Sequence, residues 1–311
     1  MVTTVVALGA SVVLSAAGAD TARRPFFVDR QTEAQRAKAT HPGDAAKLEE
    51  IAGVAQAKWI TRPDLPATTT RATVADYVER AVDADATPLM VVYGAPHRDC
   101  GGHTAGGADD LNSYRQFVAA IRDGIGSHGA TLVIEPDGLS GVTCLNATQA
   151  VERVAAIGIA VNTFATMGAV NTYVDVGHSR WLSPIAAAGL LNKVGVQRIR
   201  GFSLNVSNFF TTAEEQSYGE RVVALLGGSA RYVIDTSRNG NGPASADDPQ
   251  NWCNPRGRAL GTRPTRTTSA PHNDAYLWIK HPGESDGACR PGEPASGLWF
   301  HSWAMELIAE S

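Results

Sequence analysis

The chain has 311 residues, 43% of them hydrophobic, and a formal net charge of -4 from 27 Lys and Arg against 31 Asp and Glu. That length and apolar share suffice for one large core, and the lack of a basic run argues against nucleic acid or an anionic membrane surface as the principal partner. A neutral, polar ligand suits the charge balance better.

In chain order, the first segment is an apolar leader. Val5 to Ala19 carries no charge, and Ala17-Gly18-Ala19 resembles a signal-peptidase site, although the first basic residues come only at Arg23 and Arg24. The run is short for a membrane span, so residues 1–23 read as a signal peptide or leader of a secreted protein.

From residue 25 onward short β-rich runs alternate with amphipathic helical patterns. Strands are expected at Lys58 to Thr61, Leu89 to Tyr93, Leu132 to Glu135, Thr172 to Asp175, Gly201 to Asn205, Tyr232 to Asp235 and Ala275 to Lys280. Helices are expected near 45–57, 72–84, 112–126, 147–161, 184–194, 213–226 and 298–309, several of them opening on Thr, Ser or Asp caps. Steady alternation of this kind implies parallel βαβ units, hence a barrel or a doubly wound sheet in a single domain.

The polar residues sit where the strands end. Tyr93 precedes GAPHRDCGG, Glu135 and Asp137 close the run TLVIEPDGLSG, and Asp175 precedes VGHSRW. Asn205, Asp235 and Lys280 stand in the same place on later strands. Parallel strands gather their C-terminal ends on one face, which is where α/β barrels keep their active sites.

Familiar motifs exclude more than they suggest. Gly124 to Gly129 fits G-x-G-x-x-G but follows a helix and precedes a strand, so it reads as a helix stop rather than a dinucleotide loop. The chain has no G-x-S-x-G, no Walker A and no H-E-x-x-H. His97, Asp99, Cys100 and His103 match no common zinc spacing, and neither a metal nor a cofactor is expected. Cys100, Cys144, Cys253 and Cys289 contain no C-x-x-C pair, and three disulfide pairings are open.

Asp99 on its glycine-rich loop and Asp137 after the rigid Pro136 are the candidate reacting acids. Crowded carboxyls disfavour each other's ionisation, so one of them keeps a proton near neutrality. A proton donor beside a carboxylate is the pair that glycosidic bond cleavage requires. Trp59, Trp181 and Trp252 fall at or just past strand ends, where flat rings can stack on sugars, whereas Trp278, Trp299 and Trp303 read as core.

With these residues in view, the chain resembles glycoside hydrolase family 6, the inverting β-1,4-glucanases and cellobiohydrolases, over roughly residues 24–311. The resemblance rests on VVYGAPHRDCGG, VIEPDGL, VDVGHSRW, LNVSNF, VIDTSRNGNGP, WCNPRGRALG and YLWIKHPGESDG, in order and at family spacing. It implies a distorted, TIM-like parallel (β/α) barrel of about seven strands in one catalytic domain, residues 24–311, with disulfides Cys100–Cys144 and Cys253–Cys289. It implies Asp137 as general acid, Asp99 as the group that raises its proton affinity and organises water, and Asp286 as the proposed base. Tyr93 would press on the distorted ring at the cleavage point, with Trp59, Asp175, His178, Trp181, Asn205, Trp252, Lys280 and Glu284 lining sugar subsites. Only Gly287 and Ala288 separate Asp286 from Cys289, where cellobiohydrolases carry a roofing insertion, so an open cleft and internal cutting are expected. Gly94 stands where Asn is commonest in the family, removing one sugar contact. The expected partner is soluble or amorphous β-1,4-glucan acted on by a secreted monomer; the alternatives are an exo-acting cellobiohydrolase and a silent glucan-binding protein. Mutually repelling acids have no use in a pure binding site.

Overall fold

Residues 24–311, the part of the chain that the computed structural model describes, build one parallel sheet of seven strands with eight α-helices around it. The strands are β1 (Lys58–Ile60), β2 (Leu89–Val92), β3 (Ala130–Ile134), β4 (Val170–Asp175), β5 (Gly201–Leu204), β6 (Arg231–Asp235) and β7 (Asn273–Leu277). They lie side by side in sequence order, and every neighbouring pair is parallel. The helices are α1 (Glu33–Thr40), α2 (Ala45–Ala52), α3 (Ala67–Asp83), α4 (Leu111–Ile125), α5 (Ala147–Phe164), α6 (Pro184–Val194), α7 (Thr212–Leu225) and α8 (His301–Ala309).

Every strand read from the sequence is present, and the differences at their ends have local causes. Glu135 and Asn205 take φ of 50° and 65°, left-handed values that end β3 and β5 one residue before them. Strand β7 stops at Leu277 because the next N–H groups leave the ladder: those of Ile279 and Lys280 donate to the Asp235 carboxylate at 3.3 and 2.9 Å. Helix α1 has no counterpart in the expected set. It buries only Ala34 and Ala37, too little for an apolar stripe, although Thr32 caps it through its hydroxyl to the Gln35 N–H. The glycine motif does stop a helix, with Gly126 at the C-cap of α4 at φ 61°.

Both faces of the sheet are covered, which is why the strands read as continuous apolar runs. Met90, Val92, Leu132, Ile134, Phe202 and Ile234 pack outward against the helices, while Leu89, Val91, Val133, Val233, Ala275 and Leu277 fill the interior. The curl does not close through a ladder between β7 and β1. That seam is crossed instead by the Ala57 N–H donating to the Trp278 carbonyl at 3.0 Å and by the Trp59 indole N–H donating to the Ile279 carbonyl at 2.8 Å. This is the distortion of the barrel: two hydrogen bonds stand where a β7–β1 ladder would be.

Trp59→Phe keeps an aromatic ring against Tyr93 but removes the indole donor at the seam. It is expected to lower unfolding stability by about 1 kcal/mol in urea titration, the ordinary net worth of one hydrogen bond.

Candidate active site

Three buried acids at strand ends hold the loops in place. Glu135, just past β3, accepts the N–H groups of Gly94 (2.9 and 3.1 Å) and Ala95 (3.0 Å), together with the Tyr114 hydroxyl at 2.8 Å. Asp175, the last residue of β4, accepts the N–H groups of Asp137 at 2.8 Å and Gly177 at 3.0 Å and the Ser203 hydroxyl at 2.9 Å. Asp235, the last residue of β6, accepts from the N–H groups of Ser237, Ser207 and Lys280 at 2.9, 3.1 and 2.9 Å. Each is essentially inaccessible to water. Burial is the main cause that pushes their carboxyls upward, and the converging N–H donors pull them back.

Glu135 and Asp137 therefore do different things. The turn between them holds both in left-handed backbone, φ 50° and 62° around Pro136, which sends Glu135 back beneath the loop after β2 and Asp137 toward the cleft. Such conformations cost about 1–3 kcal/mol each and persist only where neighbours impose them. Here the Asp175 carboxylate grips the Asp137 N–H.

Asp137, Asp99 and Asp286 line one cavity of about 870 Å³ at the strand-end face. The Oδ1 atom of Asp137 is shut from solvent without a hydrogen-bond partner. Its carboxyl is pushed up to about 7, first by burial and then by the Asp99 charge, with Arg153 opposing. Asp99 commits Oδ2 to the Thr104 N–H at 2.7 Å and the Thr104 hydroxyl at 2.8 Å, and that hydroxyl also bonds the Tyr93 hydroxyl at 2.9 Å. Its loop places three non-glycine residues, His97, Asp99 and Cys100, in left-handed backbone and is tied by the Cys100–Cys144 disulfide to the segment just after Asp137.

The facing wall carries the opposite charge. Both oxygens of Asp286 meet the Arg238 guanidinium at 2.8 and 2.9 Å, Lys280 lies 3.6 Å away, and the Asn254 N–H donates at 3.0 Å. Arg238 is wholly buried between Phe209 and Trp303, with ring centroids 4.4 and 5.1 Å away. The Cys253–Cys289 disulfide fastens this wall.

Sugar-sized aromatic surface flanks the acids. Trp59, Tyr93, His178, Trp181 and Trp252 line the cavity, as do Lys280 and Glu284. Asp175 and Asn205 do not reach it: Asp175 is spent on loop N–H groups, and Asn205 is buried, its amide donating to the carbonyls of Phe210 and Asp235 at 3.1 and 2.9 Å. They support the wall from behind. Lining residues to which the sequence reading gave no part in the site include His103, weighed there only as a metal ligand, Asn208, Phe210 and His281. His178 lies 4.2 Å from the Phe210 ring, and burial lowers it to about 4, so it is neutral over the working range. His281 is paired with Glu284 at 2.8 Å; burial resists its charge, but the Glu284 carboxylate outweighs that and raises it. Asn208 and His281 fall inside the blocks LNVSNF and YLWIKHPGESDG without having been assigned a contact there, and Phe210 lies outside every block.

Two glycines are explained by close contacts. A Cβ on Gly94 would sit 2.6 Å from Phe117 Cε1, so no side chain fits there. A Cβ on Gly287 would sit 2.5 Å from His103 Cγ. His103 also reaches Cys289 Sγ at 3.3 Å, so the loop after β2 touches the Asp286 wall although no insertion is present.

The chain matches the model of the glycosyl hydrolases family 6 over residues 21–311. It is 42% identical over 283 residues to endoglucanase A of Cellulomonas fimi, covering 91% of this chain and 60% of that protein. It is 38% identical over 304 residues to endoglucanase 1 of Streptomyces halstedii, covering 94% of this chain and 91% of that protein. Among solved structures, the endoglucanase Cel6 of Mycobacterium tuberculosis, in complex with methyl-cellobiosyl-4-deoxy-4-thio-β-D-cellobioside, superposes with a TM-score of 0.90 at 47% identity, covering 94% of this chain and 99% of that one.

Two variants test the electrostatic layout. Asp137 is raised in the folded state, so ionising it opposes folding above the unfolded carboxyl value and this penalty grows until the pH passes about 7. Asp137→Asn is therefore expected to be more stable than wild type by up to about 4 kcal/mol at alkaline pH and to lose that advantage in acid, measured by thermal unfolding across pH. Glu135→Ala strands two N–H donors and a tyrosine hydroxyl, and a loss of about 3–5 kcal/mol is expected in denaturant unfolding.

Proposed function

The chain belongs to the glycosyl hydrolases family 6, and from that membership we propose that it is an endo-acting β-1,4-glucan hydrolase that works by single displacement with inversion. The observation that carries the reading is the cavity in which a carboxyl held up near neutrality faces two further acids among aromatic rings. Asp137 donates its proton to the leaving glycosidic oxygen, and water attacks the anomeric carbon from the opposite face.

Asp99 is the better placed group to receive the proton of that water, through a relay. Among the described residues its Oδ1 has no protein partner, whereas both Asp286 oxygens are engaged by Arg238 and one also by the Asn254 N–H. With both oxygens occupied, the Asp286 carboxylate serves to hold Arg238 and Lys280 rather than to meet the attacking water. Tyr93 is assigned the role of pressing on the distorted sugar, a reading supported by its place in the cavity wall and its link through Thr104 to Asp99. Trp59, Trp181 and Trp252 supply stacking faces on either side, with Lys280 and Glu284 as polar contacts.

Internal cutting is supported by the names of the Cellulomonas and Streptomyces relatives and by the two-residue connection from Asp286 to Cys289. The chain spans 60% of the Cellulomonas protein. β-1,4-Glucan as the substrate is supported by the glucan-like ligand of the Mycobacterium tuberculosis structure. Action as a monomer is proposed, and no described helix is long and apolar enough to cross a membrane. Two disulfides favour an oxidising compartment, and extracellular action is proposed on that ground. Residues 1–23, read as a leader, lie outside the described residues.

The test is viscometry of carboxymethylcellulose with wild type and Asp137→Ala, alongside NMR of products from defined oligomers. Wild type is expected to lower viscosity early and release the α-anomer first, and the variant to lose about 10³-fold or more in kcat. Cellobiose release without early viscosity loss would mean exo action, and a β-anomer product would exclude inversion.

A further inference from the structure

Arg153, on α5, is 3% exposed, yet among the described residues it has no carboxylate within ion-pair distance. Its Nε donates to the Pro96 carbonyl at 2.7 Å, Nη1 reaches the Gly138 carbonyl at 3.5 Å, and Nη2 donates to the His97 carbonyl. Pro96 and His97 lead into Asp99, and Gly138 directly follows Asp137. One side chain thus grips both acid-bearing loops from beneath. The neighbouring Glu152 holds the same loop through His97 at 2.9 Å.

A buried guanidinium without a paired anion is costly, and three carbonyls alone could be met by neutral donors. A charge at this position therefore calls for a use. The groups around Asp137 supply it: Asp99 on the loop after β2, Asp175 on β4, Glu135 after β3 and Tyr93 just past β2 are all neutral or negative; Arg98 lies over the Tyr93 ring at 4.7 Å on the cavity side, and Arg153 is the cation beneath the loops.

We propose that Arg153 is a positioning residue that clamps the loops bearing Asp99 and Asp137 to α5 at a fixed separation, and that its charge keeps Asp137 acidic enough to give up its proton. The inference rests on Asp137 being the general acid. Burial and Asp99 both make Asp137 hold its proton more tightly, and Arg153 acts against them. Removing that charge moves the loss of acid function to higher pH, whereas removing only the clamp leaves it in place.

The experiment is the pH dependence of kcat and KM on a soluble cello-oligosaccharide for wild type, Arg153→Gln, Arg153→Lys and Asp137→Asn. Arg153→Gln keeps amide donors and loses the charge; its alkaline limb of kcat/KM is expected to rise by about half a pH unit or more, with kcat reduced. Arg153→Lys keeps the charge and loses the fork; its limb is expected within about 0.2 pH units of wild type, with kcat down roughly tenfold and KM little changed. A glutamine variant whose limb stays put or falls overturns the electrostatic role, and a lysine variant with wild-type kcat overturns the clamp. Should the glutamine variant not fold, the same limb is read in Arg153→Met. If Asp137→Asn retains wild-type activity, the acid assignment itself is wrong; if it is inactive while the Arg153 variants match wild type, only the role of Arg153 falls.

Discussion

Everything at the strand-end face depends on buried carboxylates accepting backbone N–H groups from the neighbouring loops. Parallel strands stop in register and leave the first N–H groups of each loop without ladder partners, and such groups are costly to bury unsatisfied. Glu135, Asp175 and Asp235 meet that need, each linking its own strand to the loop of a neighbour. The result is a ring of loops held by hydrogen bonds to buried acids rather than by a second sheet. Asp137 is presented to the cleft because its own N–H is one of those held.

The site divides its charge between two walls. On one side burial and an acidic neighbour keep a proton on Asp137; on the other, Arg238 and Lys280 hold Asp286 as a compensated carboxylate. These environments differ because the residues behind them differ: the acids Asp99 and Asp175 on one side, and a guanidinium sandwiched between aromatic rings on the other. Two identical side chain types thus acquire different chemistry from position alone.

Strain and covalent ties are concentrated on this face. His97, Asp99, Cys100, Glu135, Asp137, Asn205, Ser207 and Asn254 all have left-handed backbone, and each lies in a loop at or behind the cavity. Both disulfides close on the same loops. Conformations of this kind hold only where surrounding contacts over-determine them, which the buried acids and Arg153 provide. The seam between β7 and β1 shows the same economy, with Trp59 closing the barrel by its indole N–H while its ring lines the cavity.

The order of the strands, the parallel sheet and the acids at strand ends were legible in the chain itself, because local periodicity and turn residues specify elements and βαβ alternation restricts how they connect. The motif blocks placed Asp99, Asp137 and Asp286 together. What could not be read was which polar groups face the cleft. Asp175 and Asn205 look like site residues in sequence and are turned inward as framework, while Phe210, outside every motif block, lines the cavity. Helix α1, without an apolar stripe, was equally silent. A sequence by itself sets which side chains are available at each strand end; only the folded chain decides which are spent on orphaned backbone N–H groups and which stay free for substrate, because that division depends on contacts between loops far apart in sequence.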